Sequence, residues 1–286
     1  MKAYIDKVNT LLESFPYIKQ FYGSTIVIKY GGNAMIDENL KKSFAKDLVL
    51  LKYVGINPVV VHGGGPQIDD ILKKVGKEST RVRGQRVTDR ETMDYVEMVL
   101  VGQVNKEIVN NINLAGGMAV GLGGKDGNLI TAEKLYHEAD GEKLDIGLVG
   151  KATGINVDLI RILERDRYIP VIAPVGVDAE GNTYNINADT VAGKVAAELK
   201  AEKLILLTDI SGVKINGELA STLTKADVAR HIESGQISGG MIPKTDCCVE
   251  ALDGGVKKTY IIDGRVAHSV LLEIFTDAGI GTEIIS

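Results

Sequence analysis

Cysteine is nearly absent from this chain, and the two residues it has, Cys247 and Cys248, are adjacent. Neighbouring cysteines cannot tie distant segments together, so a disulfide-held secreted scaffold is excluded. The four histidines show no HExxH spacing and there is no CxxC pair, so no metal site is readable. Long hydrophobic runs are missing as well. Leu204-Ile205-Leu206-Leu207 is strand-length, far short of the roughly 20 residues of a membrane span. The first residues mix Lys2, Asp6, Lys7 and Glu13 among apolar ones and lack the apolar core of a signal peptide, so the expectation is a cytoplasmic protein. Nor is there an excess of positive charge. The 33 Lys and Arg against 38 Asp and Glu leave a net charge of −5, which argues against nucleic acid or a membrane surface as a partner. No fixed-period repeat and no low-complexity linker interrupts the chain.

What is present is an ordinary globular composition, 44% hydrophobic and 25% charged over 286 residues. That length suits two domains or one large α/β domain. Glycine is plentiful: 33 residues, where average usage of about 7% would give roughly 20. Short apolar runs alternate with helical patterns. Thr25–Ile28 precedes a helix over Glu38–Val54, and Pro58–Val61 precedes one over Pro66–Val75. A long helix is expected from Asp89 to about Asn113. Ile169–Ile172 precedes a helix from about Ala188 to Lys200. Leu204–Leu207 and Tyr260–Ile262 read as later strands, with a helix over Gly240–Leu252 between them. Uninterrupted apolar strands between helices predict a largely parallel sheet covered on both faces. Residues 124–150 read as a hairpin or lid. Residues 1–22 form an extra amphipathic helix with Ile5, Val8, Leu11, Leu12 and Phe15 at helical spacing, which Pro16 should break or kink.

Glycine loops fall at strand ends. Lys29-Tyr30-Gly31-Gly32-Asn33 and His62-Gly63-Gly64-Gly65-Pro66 each follow an apolar run directly. Such loops present backbone N–H groups at the carboxyl ends of strands, where α/β sheets gather anionic ligands. A lone glycine loop is more often a plain turn; two, one bearing a lysine, tilt the reading towards phosphate or carboxylate. The standard phosphate motifs fail. Gly150-Lys151 and Gly193-Lys194 are followed by Ala152 and Val195, so no P-loop is present. Gly121 and Gly123 lack the third glycine of a dinucleotide fingerprint, so a dehydrogenase has little support. Three further segments concentrate polar residues at element ends: Asn185–Asp189, in which Asn187 is a natural helix cap; Thr208–Val213 after an apolar run; and Gly239–Lys244 entering a helix. For Lys244 alone, a solvated face is the simpler reading.

Taken together these segments resemble the amino-acid kinase family, and within it the branch that phosphorylates acetylglutamate. The matching residues are IKYGG at 28–32, VHGGGPQI at 61–68, GQRVTD at 84–89, NINADT at 185–190, LLTDISGV at 206–213 and GGMIPK at 239–244. The resemblance runs in order from Ile26 to Ile284. IKYGG alone fits several kinases; HGGGPQI, GQRVTD and NINAD together are more specific. The resemblance implies a three-layer αβα fold, with residues 1–22 an oligomerisation helix, 23–195 an acetylglutamate-binding and dimerising lobe, and 196–286 a lobe for ATP and arginine. It implies transfer of phosphoryl from MgATP to the γ-carboxylate of N-acetyl-L-glutamate, the second step of arginine biosynthesis. A carboxylate with a pKa of about 4.3 is already ionised at pH 7, so no general base is required. The difficulty is an anion approaching a polyphosphate, which calls for placed cations.

The same resemblance implies the roles. Lys29 and Lys244 would stabilise the transferring phosphoryl, and Asp189 would hold both ammonium groups. Gly32, Gly64 and Gly65 would offer backbone N–H groups to the γ-phosphate and the γ-carboxylate. Arg86 would grip the α-carboxylate with its planar fork, and Asn185 would bind acetylglutamate through its amide. Asp209, Ser211, Gly212, Val213, Gly239, Gly240 and Met241 would line the nucleotide pocket. Mg²⁺ would ride on the phosphates, with no protein ligand assigned. Tyr30 stands where the family varies. The rival readings are a relative acting on another acid or on carbamate, and a non-catalytic sensor; retention of both lysines and Asp189 weighs against the sensor.

From periodicity alone, the N-terminal helix could dock on its own subunit or offer a partner surface. The resemblance favours the second, because arginine-inhibited members join three dimers into a hexamer through such a helix. It also implies that L-arginine sits between that helix and His268–Thr282, near Tyr17, His268, Glu273, Gly279 and Gly281. Nothing in the sequence argues for a PII-type signalling partner.

Overall fold

The apolar runs become neighbouring strands of one sheet because each has no polar face to offer solvent. A computed structural model describes residues 1–139, 142–277 and 279–286. Its helices and strands, in chain order, are α1 Lys2–Phe21, β1 Thr25–Tyr30, α2 Glu38–Tyr53, β2 Asn57–His62, α3 Gly65–Lys74, β3 Arg81–Val82, β4 Gln85–Arg86, α4 Arg90–Glu97, α5 Asn105–Leu114, β5 Ala119–Leu122, β6 Ile130–Ala139, β7 Glu142–Ile155 and α6 Val157–Arg165. The chain continues with β8 Ile169–Ile172, β9 Val175–Val177, β10 Thr183–Asn185, α7 Ala188–Leu199, β11 Lys203–Thr208, β12 Lys214–Ile215, β13 Glu218–Leu219, β14 Thr222–Thr224, α8 Lys225–Glu233, α9 Ile242–Asp253, β15 Lys258–Asp263, α10 Ser269–Phe275 and β16 Gly281–Ile285.

The main sheet has eight strands in the order β14-β16-β15-β11-β1-β2-β8-β5. All neighbours run parallel except β15 and β16. Alternation along β1 divides the core. Ile26 and Ile28 meet Phe44, Leu48, Ile112 and Ile274 from α2, α5 and α10. Val27 faces the other way, into a core with Ile160, Val191, Val195 and Cys248 from α6, α7 and α9. This is the three-layer αβα sandwich that the sequence predicts.

Three expectations need correction. The helix predicted over Asp89–Asn113 is two α-helices joined by a wider π turn at Met98–Val104. The hairpin expected at 124–150 is β6 and β7, extends to Ile155, and joins β9 and β10 in a small closed barrel; residues 140 and 141 lie outside the described residues. Pro16 does not end the first helix, which runs on to Phe21. An internal proline costs about 3 kcal/mol, and the segment beyond it is anchored: Phe21 is buried and Tyr17 packs on the same core.

Candidate functional site

Three adjacent parallel strands, β11, β1 and β2, end side by side, so the segments that follow them meet at one edge. Lys29 is the penultimate residue of β1, and its ammonium folds back over the next glycine. A Cβ on Gly31 would lie 2.6 Å from the Lys29 Nζ. Gly32 turns the chain with φ +68, where a Cβ would also strike the Asp209 carboxylate that follows β11. After β2, Gly64 caps α3, whose first-turn N–H groups have no acceptor within the helix. Asn187 caps α7, its Oδ1 accepting from the N–H of Asp189 at 2.7 Å and of Thr190 at 3.4 Å. That places the Asp189 carboxylate in the first turn of α7, where the helix dipole favours a negative charge.

Asp189 joins the two halves of the site. Lys244, from the first turn of α9, donates to its Oδ2 at 2.7 Å. Lys29 Nζ stands 3.0 Å from its Oδ1, in an ion-pair contact not aligned as a hydrogen bond. Burial alone would raise the Asp189 pKa, but the two ammonium groups outweigh it and pull it to about 2. Two cations and one anion leave a net positive charge at a nearly dry point. Uncompensated buried charge is costly, so this arrangement is suited to receive an anion.

Beside it opens a cavity of about 270 Å³, lined by Lys29, Gly63, Gly64, Gly65, Arg86, Asn185 and Asp189 among others. Arg86 is buried and already braced: Nη1 donates to Asp69 Oδ1 at 2.5 Å and to Ser79 Oγ, and Nη2 to the Gly65 carbonyl at 3.3 Å. The Asp69 carboxyl lies below its ordinary range, because hydrogen bonds from Arg86 and Ser79 outweigh its burial. Asn185 donates to Thr88 Oγ1 at 3.3 Å. Arg81, which sequence reasoning missed, also lines the cavity and pairs with Asp69 at 2.8 Å. Only the β3–β4 hairpin brings it there; an exposed arginine beside a glycine turn carries no signal of its own.

A second cleft, of about 370 Å³, is lined by Asp209, Ser211, Gly212, Val213, Met241 and Arg265. Gly239 and Gly240, the two residues before Met241, form the 3-10 turn leading into α9. Gly212 packs on β16, where a side chain would strike Thr282, and Thr282 Oγ1 accepts from the Val213 N–H at 2.8 Å. The loop is therefore tied to β16.

The C-terminal segment is arranged differently. Tyr17 Oη donates to Asp277 at 2.6 Å, so α1 meets the end of α10. Glu273 is buried and its Oε2 accepts from the Ile280 N–H at 3.3 Å. Gly279, at φ +57, would carry a Cβ 3.5 Å from the same oxygen. Gly281 opens β16 against Ile261 and Ile262. His268 instead turns towards α2, with Nδ1 2.5 Å from the buried Asp47 carboxylate. Ala278, within the segment expected to bind arginine, lies outside the described residues. Lys203 was missed: it is buried under the rings of Phe21 and Tyr260, at 5.0 and 4.3 Å. Burial lowers its pKa, and Glu273 is the first of the charges opposing that shift. A lysine opening an apolar strand reads as solvated until α1 covers it.

The Amino acid kinase family matches residues 24–263. The chain belongs to this family, among its acetylglutamate kinases. An acetylglutamate kinase from Geotalea uraniireducens is 62% identical over 291 residues, covering all of both chains. One from Syntrophus aciditrophicus is 60% identical over 287 residues, covering 98% of this chain and 97% of its own. Among solved structures, an N-acetylglutamate synthase from Neisseria gonorrhoeae, complexed with coenzyme A and N-acetyl-glutamate, superposes with a TM-score of 0.86. It is 29% identical, over 98% of this chain and 63% of its own.

Proposed function

We propose that the chain transfers the γ-phosphoryl group of ATP to the γ-carboxylate of N-acetyl-L-glutamate, giving an acyl phosphate and ADP in the route to arginine. The observation that carries this reading is the buried Lys29–Asp189–Lys244 cluster, with its net positive charge, beside the cavity of Arg86 and Asn185. The acid occupies the cavity of Arg86 and Asn185 and the nucleotide the cleft of Asp209–Val213 and Met241. A carboxylate oxygen attacks the γ-phosphorus, the bond from that phosphorus to the bridging oxygen breaks, and ADP leaves with the electron pair. No proton has to be removed, which agrees with a centre of lysines rather than of a base.

Lys29 and Lys244 are the catalytic residues in this reading, meeting charge that grows on the oxygens of the moving phosphoryl. Asp189 is the positioning residue: it fixes both ammoniums, and its depressed pKa keeps it anionic. Gly32, Gly64 and Gly65 supply backbone donors, Arg86 takes the α-carboxylate, and Asn185 takes the acetamido end. Gly239 and Gly240 let the chain pass close to the nucleotide. Mg²⁺ enters as part of the nucleotide co-substrate. No protein ligand is assigned to it.

Regulation belongs to the same proposal. L-Arginine binds among Tyr17, Glu273, Gly279 and Gly281, with Glu273 accepting from its guanidinium and His268, held by Asp47 on α2, left out, and favours a state in which the two lobes, 23–195 and 196–286, do not close. Residues 1–22 join three dimers into a hexamer; the support is the exposed stripe on α1. The test of the activity is hydroxylamine trapping of the acyl phosphate with acetylglutamate, glutamate, aspartate and carbamate in turn. A hydroxamate from acetylglutamate alone is expected; none from it would sink the kinase reading.

A further inference from the structure

His62 and Asn105 are fully buried polar residues with no part in the chemistry above. Their hydrogen bonds leave one arrangement of protons. The Asn105 side chain faces the carbonyl of Val171 at 2.9 Å. A carbonyl only accepts, so the amide NH₂ must be on that side. Lys106 Nζ, a pure donor, lies 3.1 Å from Asn105 Oδ1 and fixes the same orientation. The second amide proton points at His62 Nε2, 3.1 Å away, which must then be the bare ring nitrogen. The ring proton is on Nδ1 and is donated to the Gly63 carbonyl at 2.7 Å. Burial holds the ring pKa down at about 4, with the Lys106 charge acting in the same direction, so the imidazole is neutral near pH 7.

The consequence reaches the cavity through one peptide plane. The C=O of Gly63 and the N–H of Gly64 belong to the same trans peptide and point in opposite directions. His62 draws the carbonyl into the protein, so the N–H of Gly64 is turned the other way, towards the side on which Gly63, Gly64 and Gly65 line the cavity. The preceding plane is fixed as well, since the Gly63 N–H donates to the Tyr30 carbonyl at 2.8 Å.

Asn105 reaches His62 because of the π turn. A π turn carries one extra residue and rotates all that follows by about 100°. Met98–Val104 ends immediately before Asn105. The same segment walls the loop directly: a Cβ on Gly64 would lie 2.5 Å from Leu100 Cδ2. Gly121, the remnant of an incomplete dinucleotide fingerprint, has its reason here. A Cβ there would sit 1.8 Å from Asn105 Oδ1.

We propose that His62 and Asn105 are positioning residues for the reaction, a two-step relay that aims the Gly64 N–H at the carboxylate of the acceptor acid. This rests on the reading of that cavity as the acetylglutamate site. The test has two arms. In full-length protein labelled with ¹⁵N-histidine, His62 should appear as the Nδ1–H neutral tautomer near pH 7; the Nε2–H tautomer would overturn the proposal whether or not any variant folds. In the second arm, Asn105→Leu removes the donor to Nε2. The KM for acetylglutamate should rise about tenfold, as for one lost hydrogen bond, with the ATP KM within twofold. Asn105→Asp offers Nε2 an acceptor instead of a donor, and should raise the same KM while moving the ring proton to Nε2. Folded variants whose two KM values stay at wild type, or rise together, would overturn it. Failure of the kinase reading looks different: wild-type protein would then give no hydroxamate at all.

Discussion

The strand-end centre and the N-terminal helix depart from the usual distribution of residues in opposite senses. At the centre, charge is buried: Lys29, Arg86 and Asp189 are each less than one-tenth exposed. On α1, apolar groups are exposed: Ile5, Val8, Leu11, Leu12 and Phe15 are between 52% and 71% accessible. A buried polar group and an exposed apolar stripe are both departures that need a reason. The difference lies in where the partners are. The buried charges are paired within the chain, and the one positive charge left over is, in the proposed function, matched by an anionic substrate. The exposed stripe is paired with nothing in the described part of the chain, and its proposed partner is a second copy.

The largest effect expected falls on the buried side. Lys29→Arg and Lys244→Arg each keep the charge but replace a compact ammonium by a planar fork that cannot share Asp189 in the same way. Each should lower kcat by about 10²–10³, the usual loss for a transition-state donor, with acetylglutamate binding much less affected. Steady-state kinetics decide it; a near wild-type kcat removes that lysine from the reacting phosphoryl. Arg86→Lys should be next, raising the KM for acetylglutamate and leaving the ATP KM alone, because the forked grip on a remote carboxylate is lost. A selective rise in the ATP KM would put Arg86 on the wrong side of the centre.

A third effect separates two buried titrating groups. His62 is depressed from 6.5 to about 4 by burial, so its contribution is present above pH 6.5 and is lost as pH falls towards 4. Asp47 is raised from 3.8 to about 6 by burial, only partly opposed by His268, so the folded state gains relative stability as pH falls through 6. Each is worth roughly 2–3 kcal/mol and the signs are opposite. Asp47→Asn should therefore unmask the His62 term, with unfolding stability dropping by about 2 kcal/mol more than wild type between pH 6.5 and 4. Urea unfolding across that range checks it, and parallel profiles would contradict it.

The smallest effect on turnover is expected on the exposed side. Removing residues 1–22 would also take away the buried Phe21 and the core-packed Tyr17. Removing residues 1–15 takes the stripe and leaves both anchors. That truncation should keep kcat, reduce the assembly to dimers by light scattering, and weaken inhibition by arginine. A truncated protein that stays hexameric and fully inhibited would show that the stripe is not the partner surface.

Much of this was legible in the chain because the informative segments are local. Parallel strands buried on both faces leave apolar runs, and loops at their carboxyl ends leave glycine and polar residues, so the sheet and the five site segments could be read in order. What escaped was set by contacts between distant residues. Arg81 enters the cavity only through a six-residue hairpin, and Lys203 is covered by Phe21 of α1 and by Tyr260. The π turn left no trace in a helical apolar pattern, since one extra residue in 25 barely disturbs the period. Pro16 does not break the helix because propensity describes a free helix, while this one is held beyond the proline by its anchors.

By itself the sequence determined the main helices and strands, the largely parallel character of the sheet and the chemical kinds of residue at strand ends, because these follow from local periodicity, glycine content and caps. Only the tertiary structure decided which charges share a partner and which N–H faces the cavity. The joining of Lys29 to Lys244 through Asp189 spans 215 residues and depends on the end of β1 and the starts of α7 and α9 meeting at one point. The direction of the Gly64 N–H depends on a histidine ring, an amide 43 residues further on and a turn with one residue too many. Orientation of a peptide plane is a property of the packed surroundings, and no pattern along the chain encodes it.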